Sequence, residues 1–144
     1  MEEVDFLDQF QCCTLPFEQW THRAHVKVGY LYLQQFSFDE ALNRIRAGIK
    51  RYNAHNKVPE SQTSGYNETT THAMLHLIHA TMRAYGKSHA VNSAESFCDM
   101  HPQLMNKHVL RLFYSPTRRM HPQAKTQFIE PDLAPLPSIV ESES

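Results

Sequence analysis

Two histidines three residues apart, His22 and His25 in "WTHRAHV", stand at the head of a segment that otherwise reads as buried helix. Imidazoles on one helical face lie close enough to give one nitrogen each to a single divalent ion. They can also move protons near neutral pH. A third candidate, Glu68, follows in "GYNETTTHAM". It falls in the first turn of another expected helix, beside Asn67 as a cap, and borders that helix's apolar arc. Two histidines and one carboxylate form the donor set of zinc centres that activate water and of non-haem iron centres that bind oxygen. Zinc would bring the pKa of a bound water toward neutrality and so supply a nucleophile or base at cellular pH. H-x-x-H alone is a weak motif, because a carbonyl or carboxylate can satisfy each imidazole just as well. What adds weight is the run Thr69-Thr70-Thr71, three indifferent helix formers that mark the Glu68 turn as one held by specific contacts.

These side chains must be positioned by helices, and each helical residue advances the face by about 100°. From Thr21 to Phe36, Arg23, Lys27 and Gln34 share one arc, the solvated side. His22, His25, Gly29, Tyr32, Leu33 and Phe36 lie opposite, so both histidines are predicted to point at the core. Gly29, an unfavourable choice inside a helix, leaves room for a close neighbour or a ligand. Tyr32 could donate a proton or hydrogen bond to a substrate, although buried tyrosine often serves packing alone. Glu68 and Tyr32 are therefore the catalytic candidates. Gly29, Tyr66, Asn67 and Tyr114 are the pocket candidates. In the helix from Asn67 to Tyr85, His72, His76 and His79 share a stripe with Arg83, opposite Thr71, Met74, Leu75, Ile78, Met82 and Tyr85, and this histidine stripe is predicted to be solvated.

Apolar residues recur at three and four spacings throughout, and alternating β-branched runs are missing, so the class is all-α, a bundle of about five to six helices. A short helix over "EEVDFLDQFQCC" ends near Pro16. Ser37 and Glu40 form a capping box opening a helix whose stripe is Phe38, Leu42, Ile45, Ile49 and Tyr52. A polar loop, "NAHNKVPESQTSGY", follows, and the helix after it stops at Gly86. Ser93 caps a short piece, a helix spans about Leu104 to Tyr114, and Ser115 with Pro116 opens another. Residues 1–130 form one domain; 131–144 form a proline-rich acidic tail, partly disordered at its end.

At 144 residues with 41% hydrophobic content the chain supports one core. A net charge of −1 argues against nucleic acid, and no apolar run suits a membrane. Three cysteines and an acidic start without a secretory leader point to a reduced, cytoplasmic protein. Self-association into a homo-oligomer stays open. Ten histidines are the compositional anomaly.

"WTHRAHV" followed by "GYNETTTHAM", then Phe113-Tyr114-Ser115 and Phe128-Ile129-Glu130-Pro131-Asp132-Leu133, resembles a family of short, uncharacterised, mostly bacterial helical proteins. That family carries T-H-x-x-H and Y-[HN]-E-T motifs, and the resemblance covers roughly residues 17 to 137. It implies that His22, His25 and Glu68 belong to one site and adds no reaction. The family's histidine before the glutamate is Asn67 here, which leaves two histidines and a carboxylate.

Two functions compete. One is a small enzyme dependent on a divalent metal, zinc or iron, acting on a small organic substrate through activated water, hydrolase- or lyase-like, or as a non-haem iron oxygenase. The other is a non-catalytic helical binding or interaction domain in which the histidines and Glu68 form a buried polar network.

Overall fold

A computed structural model of the chain describes residues 2–86 and 91–139. Its centre is the helix that carries the histidine pair, α2 (His22–Gln35), which packs against α3 (Phe38–His55), α4 (Glu68–Tyr85) and α5 (Ala94–Met100). Enclosure on three sides explains why α2 buries Ala24, Val26, Val28, Tyr30, Leu31 and Tyr32 and not one narrow stripe. Val26 and Val28 each keep 1% of their surface, a burial worth about 1.5 to 3 kcal/mol per side chain. Helix α1 (Glu3–Gln11) packs on α3, inserting Phe6 and Phe10. Two short helices, α6 (Pro116–Arg119) and α7 (Pro122–Thr126), follow, and α7 lies on α4. Among the described residues there is no β-strand, and the fold is all-α.

Local chemistry sets the helix starts. Thr21, Ser37, Asn67, Ser93 and Ser115 each accept a hydrogen bond from the backbone N–H three residues on, satisfying a donor the helix leaves orphaned. The capping box at Ser37 is half realised, because Glu40 turns its carboxylate to Arg44 at 2.9 Å. The α3 stripe is buried as expected, with Phe38 half-buried at its head.

Two expectations need correction. The helix expected from Leu104 to Tyr114 is two 3-10 turns, Pro102–Met105 and Val109–Leu112, broken where Asn106 turns its side chain onto the His108 N–H. His72, His76 and His79 are half-buried and not a solvated stripe. Their rings surround Phe38, and His72 also stacks on Phe128 with centroids 3.9 Å apart. Helix α3 and the C-terminal segment thus cover a face that a wheel of α4 alone assigns to water. The described part of the tail, to residue 139, lies against the body: His76 Nε2 donates to the Pro137 carbonyl, and the Leu133 N–H donates to the Phe113 carbonyl. The disorder expected at the very end concerns residues 140–144, outside the described residues.

Candidate functional site

An open cavity of about 300 Å³ lies between α2, α3 and α4. Val26, Val28, Ile45, Ile49, Leu75 and Ile78 form its apolar walls, with Met74 and Leu110 beside them. Its polar rim consists of His22, His25, Thr70, Thr71 and Lys107. Gly29 lines it too, and its missing side chain has a direct cause, since a Cβ there would stand 2.7 Å from Ile78 Cδ1. The glycine lets α2 and α4 approach closely below the histidines.

His22 and His25 occupy the first turn of α2 and both border this cavity. His25 Nδ1 lies 2.7 Å from the Thr21 carbonyl oxygen, and His22 Nε2 lies 2.8 Å from the Leu104 carbonyl oxygen. A carbonyl only accepts, so each of these nitrogens carries the proton, and the other nitrogen of each neutral ring is a bare acceptor. Neither His25 Nε2 nor His22 Nδ1 has a hydrogen-bond partner among the described residues. Trp20 stacks on the His25 ring at 3.8 Å and is itself stacked on Phe10. An aromatic pile thus holds the imidazole in place. His25 is an exposed residue on the open side of the cavity, not the core-facing one expected from the sequence, and its ring is covered on one face by Trp20. Loss of hydration pushes its pKa down to about 4, against the opposing pull of the Thr21 carbonyl, with His22 adding a small downward effect. His25 is neutral at pH 7.

Glu68 stands apart from the pair in its bonding. It is buried, and Arg46 grips it with Nε on Oε1 at 2.8 Å and Nη2 on Oε2 at 2.7 Å. The Tyr66 hydroxyl donates to Oε1 at 2.7 Å. Burial alone would raise the carboxyl pKa, but the Arg46 and Tyr66 hydrogen bonds outweigh it and the net shift is downward. Burial, then the hydrogen bond to Glu68, push the Tyr66 phenol above its ordinary value. The expected gathering of His22, His25 and Glu68 is therefore not formed: Glu68 is committed to a guanidinium and a phenol. Among the described residues no three His, Cys, Asp or Glu side chains are grouped as a metal would need.

The other candidates divide in the same way. Tyr32 is buried away from the cavity, and its hydroxyl accepts from Gln11 Nε2 at 2.8 Å, so it acts in packing. Tyr114 donates to the Ile129 carbonyl at 2.8 Å and lines no part of the cavity. Asn67 caps α4 and, with Tyr66, borders a neighbouring cleft that shares Trp20, His25, Ile49, Thr70 and Thr71 with the first. Cys12, Cys13 and Cys98 are free, and burial pushes the Cys98 thiol up to about 11.

Much of the motif chemistry is architectural. Ser115 donates from its N–H and its hydroxyl to the two carboxylate oxygens of Asp132, at 2.8 and 2.6 Å, tying the segment around Tyr114 to the one around Pro131. Thr69 Oγ1 donates to the Gln127 carbonyl at 3.0 Å and accepts from the Ile129 N–H at 3.2 Å. Arg46, Trp20 and Lys107 were not among the residues singled out from sequence. Trp20 is adjacent to the histidine motif and was open to notice, and "KHVLR" is a readable basic run. Arg46 has no local signal, because its partner lies 22 residues away.

No family model, curated protein or solved structure matches the chain.

Proposed function

We propose that the cavity between α2, α3 and α4 takes a small, mostly apolar organic molecule as substrate, with His25 as the proton acceptor that acts on it. The single observation that carries this reading is a pair of imidazoles on an apolar cavity, each anchored to a carbonyl through one nitrogen and bare at the other. Cavities of ligand-binding size run from about 300 to 1,000 Å³ and combine apolar walls with a few placed polar groups. A neutral, carbonyl-anchored imidazole is a base already in the required tautomer, and the aromatic pile on Trp20 holds its direction. Free thiols suit a reducing compartment, and we place the protein in the cytosol. No helix among the described residues is long and apolar enough to cross a membrane.

The test is a titration with small neutral organic molecules, followed by NMR at the Met74 methyl and the His25 ring. Both signals should move together, and His25→Ala should remove the response to ligands that donate a hydrogen bond. Ligands that bind without disturbing Met74 would overturn the reading.

A second reading keeps a divalent ion, zinc or iron, on the same two nitrogens. It is favoured by the bare His22 Nδ1 and His25 Nε2 at one cavity rim. Two protein donors fall short of the three that catalytic zinc sites use, so this reading needs a further donor. Metal analysis of untagged protein and of His25→Ala tests it: a stoichiometric ion lost in the variant supports the ion, and equal traces in both overturn it.

A further inference from the structure

We infer that the molecule bound in the α2–α3–α4 cavity is a small carboxylate with an apolar body, its anionic end held at the rim by Lys107 and the basic residues around it. This rests on the cavity reading above and adds the charge of the ligand.

The rim is one-sided in charge. Lys107 and His22 both line the cavity, and among the described residues no Asp or Glu lines it. His108, next to Lys107 in the chain and exposed, has its pKa pushed down first by Arg111, then by loss of hydration, with smaller effects from Lys107, Arg119 and His22. Five of the described cations elsewhere are held in ion pairs. Arg23 and Lys27 bind Glu95, Arg44 binds Glu40, Arg46 binds Glu68 and Lys125 binds Glu60. Lys107 and Arg111, by contrast, have no ion pair or side-chain hydrogen bond among the described residues, and Arg119 Nε is buried with no hydrogen-bond partner there. A chain of net charge −1 has acids enough to neutralise such a group. Like charges held together without a counter-charge raise the local potential and favour an anion from solution.

The cavity behind the rim sets the other half of the ligand. Its walls are branched aliphatic side chains and Met74, which favour a hydrocarbon body and leave a buried charge unpaired, so the anionic group must stay at the mouth. A cavity near 300 Å³ is at the small end of the ligand-site range of about 300 to 1,000 Å³, which suits a free acid better than a lipid. The two imidazoles turn only acceptor nitrogens to the rim, since their N–H groups are spent on the Thr21 and Leu104 carbonyls, so the carboxylate is held by Lys107 and not by them.

Matched pairs differing only in the head group decide the matter. Octanoate and octanamide, and 4-phenylbutanoate and 4-phenylbutanamide, are titrated calorimetrically into the full chain, with the Met74 methyl as the reporter of location. Each acid is expected to bind about tenfold more tightly than its amide. That preference should shrink between about 0.1 M and about 1 M NaCl, as the screening length falls from about 10 Å to about 3 Å. Lys107→Met, a change at an exposed position, should remove most of that preference. Equal binding of acid and amide overturns the carboxylate and leaves the cavity reading intact. A preference that survives in Lys107→Met overturns the assignment to this rim. Failure of all four to bind at millimolar concentration overturns both readings.

Discussion

Arg46 holds Glu68 through two parallel hydrogen bonds of 2.8 and 2.7 Å, and the Tyr66 hydroxyl completes the shell at 2.7 Å. The pair joins α3 to the first turn of α4, where an acidic side chain also meets the positive end of the helix dipole. It is a brace for the cavity wall and takes Glu68 out of the reacting set.

Removing the guanidinium leaves a buried carboxylate unpaired. Arg46→Met is expected to cost about 3 kcal/mol, the lower end for a broken buried pair because the Arg46 side chain is still 32% exposed. Urea unfolding measures it. Glu68→Gln should cost less, and Arg46→Met with Glu68→Gln together should recover part of the loss. Because the Glu68 pKa is lowered in the folded chain, its contribution is present above 4.5 and is lost as pH falls through the folded value.

His25 has the opposite chemistry but the same direction of pH effect. Its folded pKa, about 4, lies below the ordinary 6.5, so the unfolded chain binds the extra proton first. Its contribution is complete above 6.5 and declines as pH falls toward about 4. His72 and His79 are also lowered, chiefly by burial, so the comparison that isolates His25 is with His25→Phe, which preserves stacking on Trp20. The stability of the native chain relative to this variant should drop between pH 7 and pH 5. A His25 imidazole that titrates at or above 6.5 by NMR would contradict the assigned neutral base.

Thr69 bonds both Gln127 and Ile129 and keeps 3% of its surface. Thr69→Val preserves shape but leaves the buried Ile129 N–H without its acceptor, an expected loss of about 1 to 3 kcal/mol. Hydrogen exchange should quicken at Ile129 before it does in the middle of α2.

Gly29 separates packing from binding. In Gly29→Ala the new methyl meets Ile78 Cδ1, the movable end of a side chain, and the gain in helix propensity, about 1 kcal/mol, offsets the strain. Stability should change little. Gly29→Leu overfills the contact at a cost of about 1 to 3 kcal/mol and should block binding in the cavity. Thermal melts with ligand titration check both variants.

Legibility follows the range of the interaction. The Ser37 cap and the α3 stripe were readable, because both depend on residues three or four positions apart. Gly29 and the histidine pair border one cavity, but the pair was expected in the core, and His25 is exposed and His22 half-buried. The segment from Leu104 to Tyr114 was misread as helix because its apolar spacing is helical while its backbone bonds are spent in two tight turns. The histidine stripe of α4 was misread because Phe38 and Phe128 come from other segments.

By itself the sequence determined an all-α chain, most of its helix starts, and two imidazoles and a glycine on one face of α2, since caps and periodicity act within a single helix. Only the tertiary structure decided what those groups meet. His22 finds its carbonyl 82 residues away and Glu68 its guanidinium 22 residues back, and partners at such separations are chosen by how whole helices pack, which no local pattern records.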